Sequence, residues 1–181
     1  MNSQPNDLLL LAGQVLAVLM QIFMAIAAAA LLLAPVVILV MLGDINAEIA
    51  TEFEGAVGPL PLVPVLGLCA LALAVVGLVF LFFGRLRAII ATVSEGDPFA
   101  PQNADRLNWM AWSLLAVQLA WLPLSGLGLW LAKWAEPMEH GNVTVDAGFD
   151  LSGIIMVVVL FILARVFRHG AAMREDLEGT V

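Results

Sequence analysis

The sequence predicts an all-α membrane protein: a four-transmembrane-helix bundle, N-in/C-in, with cytoplasmic extensions of helices 2 and 4. Three observations predict it. Four apolar stretches, 8–42, 60–83, 107–134 and 151–167, contain no Asp or Glu, and each reaches the roughly 17–25 residues a helix needs to cross a hydrocarbon core about 30 Å thick. The Lys and Arg within their bounds, Lys133 and Arg165, sit near segment ends, where a long side chain reaches the headgroups. Second, 62% of the chain is hydrophobic and its mean hydropathy is +1.03, against roughly 45–50% apolar residues in a soluble domain. Third, of the seven Lys and Arg residues, all but Lys133 fall on one side of the spans. Arg85, Arg87 and Arg106 flank the connection between spans two and three, and Arg165, Arg168 and Arg174 close span four. The positive-inside rule assigns that side to the cytoplasm.

The 181 residues therefore read as one domain, 1–181, since the spans and their short connections leave no room for a separate soluble core. The first stretch reads as a retained span, not a cleaved leader: no basic residue precedes it, and its apolar run far exceeds a signal sequence's roughly 7–15 residues. It is long enough to tilt, kink at Pro35 or project past the bilayer, with Gly13 and Gln14 in an amphipathic start at the headgroups. Asp44, as a cap, and Ile45, Ile49 and Phe53, at four-residue spacing, predict a short surface helix ended by Gly55 and Gly58. The prolines at 59, 61 and 64 then start span two, where the first amides lack partners in any case.

Span two is expected to continue as a helix through 85–93, because Leu86, Ile89, Ile90 and Val93 share one face. Gly96 marks a left-handed stop, and Asp97-Pro98 or Pro101 marks the next helix start. Trp109 and Trp112 are read at one interface and Trp130 and Trp134 at the other. Pro123 and the cluster 125–128 predict a kink or local unwinding in span three. The tail carries an apolar face, Val166, Gly170, Met173 and Leu177, of which the Met173/Leu177 stripe is expected to pack on the Ile89/Val93 stripe. Cys69, alone within a span, reads as a packing residue. Gln21 and Gln118, at comparable depth, are read as an interhelical hydrogen-bonded pair.

Chemistry is sparse. The spans hold no His, Asp or Glu for a nucleophile, base or metal ligand, and the chain has no phosphate-binding loop, HExxH helix or CxxC pair. The expectation is a protein that is not an enzyme, with no catalytic residue, cofactor or resident metal. His140 with Glu136, Glu139 and Asp146 is the one cluster resembling a cation site, and its irregular spacing favours a solvated loop. Asn142-Val143-Thr144 matches a glycosylation acceptor, a pattern too short to carry weight. The net charge of −8 is concentrated in the two outer connections, through Asp44, Glu48, Glu52, Glu54, Glu136, Glu139, Asp146 and Asp150. Such a surface repels nucleic acid, so no direct nucleic-acid binding is expected; an extracytoplasmic cation or cationic peptide suits it.

Two motifs carry a resemblance. Ser94-Glu95-Gly96-Asp97-Pro98-Phe99 with Asn103 and Arg106-Leu107, together with the C-terminal Arg174-Glu175-Asp176-Leu177-Glu178-Gly179-Thr180-Val181, are similar to a bacterial domain-of-unknown-function family of small four-helix membrane proteins. The resemblance covers nearly the whole chain and implies the bacterial inner (plasma) membrane. Members are often encoded beside a Cro/C1-type helix-turn-helix regulator, which implies a cytoplasmic partner of that kind; no catalytic residue transfers. Besides the lipid bilayer, the expected partner surface comprises Arg85, Arg87, Ile89, Val93, Arg168, Met173, Arg174, Glu175, Asp176, Leu177 and Glu178. The function expected is a membrane-embedded regulator or sensor. The alternative is a small transport, efflux or immunity component acting through the bundle, whose polar path would have to use Gln14, Gln21, Ser113, Gln118 and Ser125.

Overall fold

A computed structural model describes residues 5–53, 57–138 and 150–178, apart from the side chains at 5–7, 177 and 178. Its elements are α1 (Pro5–Val40), α2 (Leu42–Glu52), α3 (Leu62–Ser94), α4 (Pro101–Ala135), a 3-10 turn (Glu136–Met138) and α5 (Leu151–Glu178). The fold is all-α, and α1, α3, α4 and α5 are each long and apolar enough to cross a membrane. At ~1.5 Å per residue, the 36 residues of α1 and the 33 of α3 extend about 50 Å, well past a hydrocarbon core of about 30 Å. Large apolar side chains cover the outside, among them Leu8, Phe23, Leu33 and Val40 on α1 and Val63 on α3. In water such a surface would drive aggregation; in lipid it is the solvated face.

Several local expectations change. Helix α1 runs unbroken past Pro35. Asp44 does not cap α2, which starts from Met41 without a side-chain cap; Asp44 lies in the first turn, where its charge favours the helix dipole. Helix α4 is continuous through Pro123, so the local unwinding foreseen there is absent, and the Ser125 hydroxyl donates to the Leu122 carbonyl instead. Residues 54–56 and 139–149 lie outside the described residues, and with them the Gly55 stop, the glycosylation pattern and most of the His140 cluster.

The chain divides into two compact units, and α1, α3 and α4 contribute to both. One comprises Ile26–Val76 and Leu119–Phe149. Within it the Asn46 side-chain oxygen accepts the Leu60 N–H at 2.8 Å, tying α2 to the start of α3. A Cβ on Gly67 would sit in ordinary van der Waals contact with Leu127 at 3.6 Å, so α3 and α4 come within packing distance there. The other unit contains the chain up to Ala25, Gly77–Gln118 and the chain from Asp150. Its core is Ile89 of α3, Leu107, Met110 and Ala111 of α4, and Leu160 and Ala164 of α5. Phe82, Leu86, Val93, Leu114, Phe161 and Phe167 pack around these. Helix α1 joins through small residues: Ala17 is buried, and a Cβ on Gly13 would come within 3.3 Å of Ile90. Small contacts let backbones approach where burial from water supplies no drive.

Candidate functional site

The second unit gathers most of the charged and polar side chains that sequence reasoning selected, around the link between α3 and α4. Helix α3 ends in a Schellman turn. Gly96 takes φ +85, its N–H donates to the Val93 carbonyl at 3.1 Å, and the Asp97 N–H reaches the Thr92 carbonyl at 3.0 Å. After the Asp97-Pro98-Phe99-Ala100 link, α4 starts at Pro101, where the missing N–H costs nothing.

Asn103 locks this turn from inside. It is fully buried, and its amide nitrogen donates to the Thr92 hydroxyl at 2.8 Å and to the Pro98 carbonyl at 3.0 Å. Its side-chain oxygen accepts from Arg106 at 2.9 Å, and the same guanidinium nitrogen donates to the Ala88 carbonyl of α3 at 3.0 Å. A cation bound in this way fixes the spacing of two helices as well as marking a membrane side. Arg85, a turn further back on α3, lies 4.8 Å from the ring centre of Trp109, a cation–π contact.

Helix α5 closes over the link. Phe167 packs against Phe99 with ring centres 5.5 Å apart, and Gly170 lies under the same Phe99 ring. A Cβ at 170 would sit 2.7 Å from the ring edge, so glycine is what permits the approach. Two ion pairs flank it: Arg168 with Asp105 at 3.3 Å, and Arg174 with Asp97. Both are exposed, so each contributes only about 0.2–1 kcal/mol. Their value lies in fixing orientation.

This geometry divides the expected partner surface. Ile89 and Val93 belong to the internal core, while Arg85, Arg168 and Arg174 engage Trp109, Asp105 and Asp97 of the link and α4. The tail stripe also packs differently from expectation. Met173 is 54% exposed, and Leu160, Phe161, Ala164 and Phe167 are the α5 residues in the Ile89/Val93 cluster, roughly two turns or more earlier. The reason is steric: Gly170 is the residue small enough to pass beneath Phe99. Arg87, Met173, Glu175 and Asp176 remain on the surface, and Leu177 and Glu178 are helical with side chains outside the described set.

The Gln21–Gln118 pair is likewise replaced. Gln118 donates to the Asp150 carbonyl at 3.2 Å, beside the start of α5, and Gln21 lies against Gly84 of α3. Gly153 clears the way, since a Cβ there would overlap the Gln118 amide at 1.6 Å.

Sequence reasoning missed the site's most distinctive surface. An open groove of 810 Å³ runs between α4 and α5, lined by Asn108, Phe161, Arg165, Val166, Arg168 and His169 among others. The available signal was the stripe Phe161, Arg165, Arg168, Ala172, which spacings of three and four put on one helix face. Among the described residues no group of His, Cys, Asp or Glu is arranged to hold a metal ion.

Comparison with known proteins assigns a family. A family model described as a protein of unknown function (DUF2975) matches residues 46–181, from within α2 to the C-terminus. No curated protein and no solved structure matches the chain.

Proposed function

The chain belongs to the DUF2975 family of proteins of unknown function, and we propose that it is a non-enzymatic membrane regulator that holds a cytoplasmic partner at the junction of α3, α4 and α5. The observation that carries this reading is the interlocked junction. Asn103, Arg106, Phe99 and Gly170 fix the link against α5, while Met173 and Glu175 project from the helix just beyond it. A rigid platform with an exposed apolar and acidic edge suits recognition of a basic protein surface, such as that of a helix-turn-helix regulator. Its acidic outer connections would receive the signal, a cation or cationic peptide.

Three of the five polar residues that a transport path would need, Ser113, Ser125 and Gln118, are engaged locally, which favours regulation over transport. Ser113 donates to the Trp109 carbonyl of its own helix, Ser125 to Leu122, and Gln118 to Asp150. The test is affinity capture from membranes of the native host, comparing the wild type with Met173→Asp and Leu177→Asp. The expected result is a cytoplasmic DNA-binding protein that co-purifies with the wild type and is lost from both variants, each still in the membrane. Equal capture by all three would overturn the reading.

A further inference from the structure

The groove between α4 and α5 combines three features that together define a ligand class. Its wall is apolar, from Phe161 and Val166. Its rim is basic: Arg165 and Arg168 line it beside the imidazole of His169, and Arg165 has no ion pair or hydrogen bond among the described residues. Asn108 adds an amide on the α4 side. Asp105 is paired with Arg168 at 3.3 Å, which leaves Arg165 and His169 as the basic groups of the rim not engaged by it.

The depth of the groove is set by its neighbours. Trp109 and Trp112 of α4 are 58% and 55% exposed, and indoles favour the headgroup level of a bilayer. Trp112 packs edge-on against Phe161, the groove's apolar wall, at 5.4 Å. Arg85 lies over Trp109. Moving back along α5, the exposed Val166, Ile162 and Val158 recur every fourth residue and form a continuous apolar track leading away from the rim.

We infer that this groove binds one anionic glycerophospholipid, with its phosphate between Arg165 and His169 and an acyl chain along Val166, Ile162 and Val158. Basic pockets between spanning helices at the headgroup level recognise anionic lipids through this pairing of charge and apolar track. The lipid would brace α5 against α4 beside the Arg168–Asp105 pair, which it leaves intact. The inference stands independently of any cytoplasmic partner.

Native mass spectrometry of the full-length protein in detergent, titrated with phosphatidylglycerol or phosphatidylcholine of identical chains, tests it. The wild type is expected to retain phosphatidylglycerol in preference to phosphatidylcholine. Arg165→Gln should weaken phosphatidylglycerol retention about fivefold, the factor for one basic group at an anionic surface. Arg165→Gln/His169→Gln should weaken it further, Arg165→Lys should keep most of the preference, and Arg87→Gln, outside the groove, should change nothing. Phosphatidylcholine retention should be the same in every variant. Equal retention of the two lipids by the wild type, an unaffected double variant, or an Arg165→Lys loss as large as that of Arg165→Gln would overturn the assignment. Displacement of the lipid by excess inorganic phosphate would show that the apolar track contributes nothing, and would overturn the lipid as occupant.

Discussion

Asn103 shows how much a single buried amide can organise. Its three hydrogen bonds join the end of α3, the link and the first turns of α4. Asn103→Ala removes the amide that donates to the Thr92 hydroxyl and the Pro98 carbonyl and one acceptor of Arg106, while Thr92 keeps its own bond to the Ile89 carbonyl; buried groups left unpaired cost about 1–3 kcal/mol. The expected outcome is a lower unfolding midpoint in detergent, with membrane insertion retained. Gly170 makes the complementary case. Gly170→Leu forces the Phe99 ring aside, and overpacking of this kind typically costs about 1–3 kcal/mol. Combining it with Phe99→Ala should recover part of the loss, because the ring is what the new side chain meets. A double-mutant cycle on the unfolding midpoint reads this, and strict additivity would refute the contact. The residues quoted for the family resemblance include Gly96, Phe99, Asn103 and Arg106. Their identity was legible in the sequence, but their roles were not, since the partners of Asn103 and Arg106 lie up to 18 residues away on another helix.

At the scale of elements, the continuation of α3 was readable because a helical stripe of Leu86, Ile89, Ile90 and Val93 persists past the apolar run, and α3 does extend to Ser94. Its stop was readable too. Gly96→Ala should destabilise the turn by roughly 1–2 kcal/mol, the cost of a Cβ in the left-handed region. Nothing lies within 4 Å of the added Cβ, so the loss would be conformational. Gly96→Asn should therefore lose less than Gly96→Ala in the same unfolding measurement, whereas a steric origin would reverse that order. What the sequence misplaced was the α5 contact. Periodicity identified the face bearing Val166, Gly170 and Met173, yet it cannot tell which turn of a long helix lies opposite a given partner.

For the whole molecule, the charge asymmetry predicts that the α3–α4 link and both termini are cytoplasmic. In a Cys69→Ala background, Glu48→Cys should react with an impermeant thiol reagent from outside intact cells, and Glu95→Cys only after the membrane is opened. The reverse pattern would overturn the orientation. The spans themselves were legible because lipid imposes one demand along the chain: about 20 apolar residues whose backbone groups are satisfied within the helix.

The sequence by itself determined the number of spanning helices, the extension of α3, its glycine stop and the segregation of charge, because each depends on near neighbours along the chain or on a summed property of a segment. Only the tertiary structure decided that Asn103 and Arg106 lock the link, that Gly170 lets α5 pass beneath Phe99, that Gln118 turns to Asp150, and that Arg165 and His169 face a groove. Those outcomes depend on the axial offset between packed helices. Hydropathy leaves that offset open, since lipid solvates one apolar turn as well as the next; close packing and specific hydrogen bonds set it.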